Sequence, residues 1–210
     1  MKIITISREF GSGGRELGKR LAEHLGFNYF DREIITAIAE KGNLDAQYVE
    51  DVLDKGLYRD IPITFAHSIH TVPMITHTPH NVIYYQQKIL RELPEKGDCV
   101  IVGRNADVIL HDLAPLKMFV YADMDAKVLR CQHRAPDGES LTDKQMRRQI
   151  KKIDKARYRT HSYMSDIPWG DKRGYDLCVN TTNISIKEIS ELLADYSTHW
   201  FEHRETKGEN

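Results

Sequence analysis

Residues 4–26 read ITISREFGSGGRELGKRLAEHLG, a β-branched run that passes through a glycine turn into a helical pattern. Ile3, Ile4, Thr5 and Ile6 favour a strand, while Leu17, Leu21, Ala22 and Leu25 recur at helical spacing from Arg15 onward. Between them, Gly11, Ser12, Gly13 and Gly14 allow successive backbone N–H groups and the helix N-terminus to converge on an anion. This one unit constrains the rest of the chain, because a strand feeding a helix through such a turn needs further strands beside it and a second helical layer to cover them.

The remaining sequence supplies them. Gly26 closes the first helix, Asn28–Phe30 reads as a second short strand, and REIITAIAEKG as a second helix. A third helix opens at Asn43 or Asp45 and runs to residue 55. Residues 56–80, punctuated by Pro62, Pro73 and Pro79 and carrying His67, His70, His77 and His80, predict an irregular, partly mobile insertion. Helical periodicity returns from Val82 to Leu93. CVIVG from Cys99 and KMFVY from Lys117 are continuous apolar runs, the mark of strands buried on both faces of a parallel sheet. Then come a helix in DMDAKVLRCQHR, a turn at APDGES, a long charged helix capped by Thr142, a strand in YDLCVNT, and a helix from Ser185. Trp169 predicts a loop anchor, and HWFEHRETKGEN a frayed terminus. Alternating strands and helices imply a parallel sheet with ligands beyond the strand C-termini.

The glycine turn departs from the standard phosphate-binding loop, G-x-x-x-x-G-K-[ST], in which the lysine reaches the outer phosphates and the hydroxyl holds magnesium. Aligned on Gly13, the first glycine's place holds Arg8, the lysine's place holds Gly14, and Arg15 and Glu16 follow. Arg15 is a cation one residue late, able to bind phosphate bidentately. Lys19 lies one turn further on.

With 30 Lys and Arg against 31 Asp and Glu, the net charge is −1, so no overall basic field points to nucleic acid or an anionic membrane, and any anion site must be local. Three widely spaced cysteines, Cys99, Cys131 and Cys178, suit reduced thiols and a cytoplasmic setting rather than a disulfide frame. The sequence shows no apolar run with the length of a signal peptide core or a membrane span.

ISREFGSGGRELGKRLAEHLGFNYFDREI, together with VIVGRNADVIL and YDLCVNT, resembles the cytidylate kinase-like family, relatives of cytidylate kinase among the nucleoside monophosphate kinases, over nearly the whole chain. The resemblance implies a single domain over residues 1–210 with a three-layer α/β/α P-loop nucleoside triphosphate hydrolase-like fold. It implies an acceptor-covering insertion at about 31–95 and an arginine-bearing lid at about 130–165. It further implies ATP-dependent phosphoryl transfer with magnesium to a nucleoside monophosphate, CMP or dCMP before others. On this resemblance Gly11, Ser12, Gly13, Gly14, Arg15 and Glu16 cradle the donor phosphates, Asp31 and Arg32 meet the acceptor, and Arg104 holds the acceptor phosphate. Arg130, Arg134, Arg157 and Arg159 supply the lid. Ser12, Glu16 and Asp31 are alternative magnesium ligands among which the sequence does not choose.

Two other readings compete. A nucleotide-binding regulatory protein without transfer activity would account for the absent lysine, and a kinase for a different small acceptor would keep the same loop. Metal binding by the i, i+3 pairs His67/His70 and His77/His80 is a third possibility, with ordinary loop histidines the simpler account. HNVIYYQQKILREL suits either the core or a partner helix, so the oligomeric state is not readable.

Overall fold

The computed structural model describes residues 1–55, 79–134 and 141–207. Five strands, β1 (Ile3–Arg8), β2 (Asn28–Phe30), β3 (Cys99–Val102), β4 (Leu116–Tyr121) and β5 (Leu177–Asn180), form one parallel sheet in the order β2-β3-β1-β4-β5. The register runs Ile3 beside Cys99, Ile4 beside Leu116, Met118 beside Leu177 and Asn28 beside Cys99. β1 sits at the centre, with its apolar residues buried on both faces, as the β-branched run predicts.

Helices α1 (Gly14–Leu25) and α8 (Ile186–Lys207) cover one face. Leu17, Leu21, Leu193 and Phe201 join Ile4, Ile6, Val100, Val102 and Met118 in one core. On the other face, α2 (Glu33–Gly42), α3 (Ala46–Lys55), α4 (Pro79–Glu92) and the single turn α5 (Ala106–Ile109) gather Ile34, Ile38, Val49, Val82, Ile89 and Leu90 against Ile3 and Ile101. α4 therefore serves the core. Asp45 opens α3, its Oδ1 accepting from the Tyr48 N–H at 2.9 Å.

α6 (Met124–Gln132) and α7 (Asp143–Ser162) form a smaller third cluster through Val128, Met146 and Ile150. Thr142 caps α7 as expected, in a reciprocal box with Gln145. Trp169 packs edge-on against Phe119 with ring centres 5.2 Å apart, so it does anchor its loop. The expected stretch with His67, His70 and His77 lies outside the described residues, and His80 enters α4.

The C-terminal expectation needs correcting. α8 continues to Lys207, Phe201 is buried, and Arg204 lies over the Trp200 ring at 5.2 Å. Buried Phe201, with half-buried Trp200 beside it, packs the final turns into the core on this face of the sheet. Among the described residues, no helix is long and apolar enough to cross a membrane.

Gly18 sets how closely α1 approaches the sheet. A Cβ there would stand 2.6 Å from Val102 Cγ2 and 3.2 Å from Ile6 Cδ1. Gly18→Val is expected to destabilise the fold by about 1–3 kcal/mol through overpacking. Urea unfolding checks this, and an unchanged midpoint would show that α1 can shift outward freely.

Candidate active site

The C-terminal ends of β1 and β3 meet at the centre of the sheet, the region where open parallel sheets bind ligands. From Arg8 the chain turns through Glu9, Phe10, Gly11, Ser12 and Gly13 into α1. Gly13 caps that helix with φ 85°, a left-handed conformation that disfavours a side chain. Gly11 has φ 79°, and a Cβ on it would meet Cys131 Sγ at 2.9 Å and the Lys127 carbonyl at 3.0 Å. The glycines thus let the loop lie against α6, while the first N–H groups of α1 lack acceptors within their own helix.

The loop is pinned from below. Ser12 is fully buried, its hydroxyl donating to the Glu9 carbonyl at 2.8 Å, and the Thr181 hydroxyl donates to the Ser12 carbonyl at 2.6 Å. Arg130 donates to the Gly11 carbonyl at 2.8 Å and to the Thr181 carbonyl at 2.9 Å, bridging α6, the loop and the end of β5. Burial, then repulsion from Arg134, pulls the Arg130 guanidinium below its ordinary pKa.

An ionic trio around buried Lys127 adds a second clamp. Lys127 of α6 contacts Glu9 at 2.9 Å and Asp154 of α7 at 3.2 Å, with only 6% of its side chain exposed. Asp154 also accepts from the Phe10 N–H at 2.7 Å. One lysine therefore joins the loop to both helices of the expected lid region.

Above this floor opens a cleft of about 1110 Å³, lined among the described residues by eight arginines and two lysines, with only Glu9 and Glu50 as acids. In a protein of net charge −1, such concentration makes a local anion trap. Arg15, Arg32, Arg104, Arg130, Arg134, Arg157 and Arg159 all line it, as do Gly11, Gly13 and Gly14. Arg32 and Arg159 are exposed at its wall. Arg134 pairs with Glu16, which also holds Arg20 at 3.0 Å, so Glu16 is tied to cations rather than presented to the cleft.

Asp31, the residue after β2, is buried. Arg15 reaches it at 2.5 Å, whereas Arg8 stands at 3.6 Å. Asp31 Oδ1 is buried without a hydrogen-bond partner. Arg157 donates to the Arg8 carbonyl at 2.9 Å and lies 5.8 Å from the centre of the Phe10 ring. Burial, then repulsion from Arg157 and Arg104, pushes the Arg8 guanidinium down from 12.5 to about 9. So many cations around one carboxylate leave a deficit of negative charge that an incoming phosphate would fill.

Arg104 follows β3 on a strained turn. Gly103, Arg104 and Asn105 have φ values of 76°, 60° and 53° in succession, and Gln86 of α4 donates to the Arg104 carbonyl. Strain of this kind collects at ligand sites. Behind the turn, buried Asp107 of α5 meets His161 of α7 at 3.3 Å, tying the end of α7 to the loop that carries Arg104.

The site thus gathers residues recognised in the sequence from four separate segments. Lys127 and Asp154, which the sequence does not single out, and Arg8, which it marks only by the place of the loop's first glycine, stand among them. The model of the cytidylate kinase-like family matches residues 3–183. The cytidylate kinase of Methanopyrus kandleri is 24% identical over 201 residues, covering 91% of this chain and 90% of that protein. The cytidylate kinase of Thermosipho melanesiensis is 24% identical, with 90% and 94% covered. A crystal structure of an uncharacterized protein from Eubacterium ventriosum superposes with a TM-score of 0.66 at 26% identity, covering 94% of this chain and 99% of that one. The shikimate kinase of Bacteroides thetaiotaomicron superposes at 0.56 and 13% identity, over 96% of this chain and 98% of its own, a likeness of fold.

Proposed function

The chain belongs to the cytidylate kinase-like family, and from that premise we propose that it transfers the γ-phosphoryl group of ATP to a nucleoside monophosphate, with CMP or dCMP as acceptor. The observation that carries this reading is the arginine-lined cleft at the ends of β1 and β3, open to the glycine loop on one side and to the Arg104 turn on the other. In the transfer, a phosphate oxygen of the acceptor forms the new bond to the γ-phosphorus as the bond to ADP breaks. That oxygen carries charge at neutral pH, so no side chain need act as base. The protein's work is alignment and charge neutralisation.

In this reading the loop from Gly11 to Glu16, with Arg15, cradles the donor, and Asp31, Arg32 and Arg104 face the acceptor. Arg134, Arg157 and Arg159 line the path between them, and Arg130 acts by holding the loop. The same reading takes the described residues of the stretch from about 31 to about 95 as the acceptor's cover, and those from about 130 to about 165 as the lid of a single domain. A cytoplasmic location, with its supply of ATP, follows from the same reading.

The phosphate groups of ATP fit the cation-rich cleft. Magnesium, which needs only one or two carboxylates beside phosphate oxygens, finds fewer candidates. Ser12 is bonded to Glu9 and Glu16 to two arginines, which leaves Asp31 Oδ1, without a hydrogen-bond partner and with Arg8 at 3.6 Å, as the oxygen best suited to the ion or one of its waters. When bound, the ion would help neutralise the donor phosphates.

The test is ADP release with ATP, magnesium and a panel of nucleoside monophosphates, beside Arg15→Ala. Turnover is expected to require CMP or dCMP and to fall on the order of a hundredfold in the variant. ATP binding without turnover on any monophosphate would overturn this reading, leaving a nucleotide-binding regulator or a kinase for another acceptor.

A further inference from the structure

Arg8 occupies a slot made by two glycines from distant parts of the chain. A Cβ on Gly14 would lie 2.6 Å from Arg8 Cβ and 3.0 Å from its Cγ, so the stem of Arg8 fills the space beside Gly14. At the other end, a Cβ on Gly103 would lie 1.6 Å from Arg8 Nη1. The side chain therefore starts under the glycine loop and delivers its guanidinium to the turn that carries Arg104.

These two contacts bear on the missing lysine. In the standard loop the first position is glycine and the seventh is lysine. Here the first is Arg8 and the seventh is Gly14, and the stem of Arg8 excludes the standard lysine at the seventh position. An arginine stem where the loop begins requires glycine where the lysine would stand. We infer that Arg8 supplies the cation for the outer phosphates of the triphosphate, the charge having moved from the first turn of the helix to the end of the strand in a compensated exchange with Gly14.

A purely structural Arg8 would satisfy a buried partner. Asp31 is already engaged by Arg15 at 2.5 Å, and Arg8 remains 3.6 Å away, beyond hydrogen-bond reach. Its other close charges are the guanidiniums of Arg15, Arg104 and Arg157, all repulsive. Arg8 also lines the cleft. A buried cation that lines the cleft beside three other guanidiniums, with one carboxylate at 3.6 Å already engaged by Arg15, is poised for an anion that arrives with the ligand. It lies between the loop and Arg104, where donor and acceptor phosphates would meet.

This inference rests on the kinase reading for its ligand but is tested separately, through thermal midpoints with and without MgATP, and through turnover. Arg8→Gln keeps the stem and removes the charge. Because it relieves repulsion, its midpoint without ligand is expected to equal or exceed that of the unaltered protein, while the stabilisation by MgATP largely disappears. Turnover should fall on the order of a hundredfold. Gly14→Lys alone should bind MgATP poorly because two stems collide, and Arg8→Gly alone because the cation is gone. The double variant Arg8→Gly/Gly14→Lys should bind it better than either. An Arg8→Gln protein that loses ligand-free stability yet keeps its MgATP shift would overturn the inference, leaving Arg8 as a structural partner of Asp31. So would a folded double variant that binds no better than Arg8→Gly. Arg8-dependent MgATP binding in a protein inactive on every monophosphate would uphold the inference while ending the nucleotide kinase reading.

Discussion

Replacing Lys127 with methionine is expected to destabilise the protein by about 3 kcal/mol near neutral pH, the low end of what removing one member of a buried ion pair costs, because Asp154 keeps the Phe10 N–H and Arg157 at 3.8 Å. Lys127 is the common partner of Glu9 and Asp154, whose side chains are 27% and 16% exposed. Methionine replaces the stem but not the charge. The pH dependence separates this cause from simple loss of packing. Burial already raises the Asp154 carboxyl above its ordinary value of 3.8, opposed by the Phe10 N–H and by Lys127. A carboxyl whose pKa is higher folded than unfolded binds protons more tightly in the native state. Its favourable contribution is therefore complete below the unfolded value and is lost as pH rises through the folded one. Without Lys127 that folded value climbs further, so the variant's deficit should shrink as the pH is lowered from about 7.5 toward about 5. Urea unfolding at both pH values measures it. A deficit below about 1 kcal/mol, or one that grows in acid, would show that the trio is not the clamp its geometry indicates.

The loss should also reach the site. Glu9 and the Phe10 N–H fix the floor of the glycine loop, and Asp154 sits one turn before Arg157 on α7. Slackening the trio lets the loop and the arginine-bearing helix move independently. Alignment to within a fraction of an ångström is most of what phosphoryl transfer asks of a protein.

Why this trio escapes a reading of the sequence is plain from its spacing. Lys127 lies 118 residues from Glu9 and 27 from Asp154. In MDAKVLRCQ it is one polar residue among several, and nothing local marks it as buried. The strands were legible because β-branched runs such as IITI and CVIV carry their own signal, and α1 because Leu17, Leu21 and Ala22 repeat at helical spacing. The end of α8 was obscured by charged residues and by Ser190 and Ser197, small polar residues buried without breaking the helix. Their hydroxyls satisfy themselves on the Lys187 and Leu193 carbonyls. Of the candidate site, the glycine loop and Arg104 could be placed because each directly follows a recognisable strand. Arg8 was visible at the wrong position of a motif, but only the spatial contact with Gly14 and Gly103 explains why it stands there.

Arg104 provides the second large effect, because it joins strain to the proposed chemistry. It holds φ 60° between Gly103 at 76° and Asn105 at 53°, a conformation that costs an ordinary side chain about 1–2 kcal/mol. Removing the guanidinium in Arg104→Ala and Arg104→Gly is expected to lower acceptor-dependent turnover on the order of a thousandfold in both, if the group neutralises charge on the transferring phosphoryl. The two variants should differ in stability. Glycine adopts the left-handed region without penalty, so Arg104→Gly should be more stable than Arg104→Ala by about 1 kcal/mol. Steady-state rates with CMP and paired unfolding curves check the two halves separately. Equal stability of the two variants would mean that the turn relaxes when the arginine is gone and that the strain belongs to Arg104 itself. Turnover within tenfold of the unaltered protein would remove Arg104 from the acceptor site. The combination expected, a strained arginine whose replacement by glycine restores backbone comfort but not activity, is the signature of conformational energy spent on holding a charge where the substrate needs it.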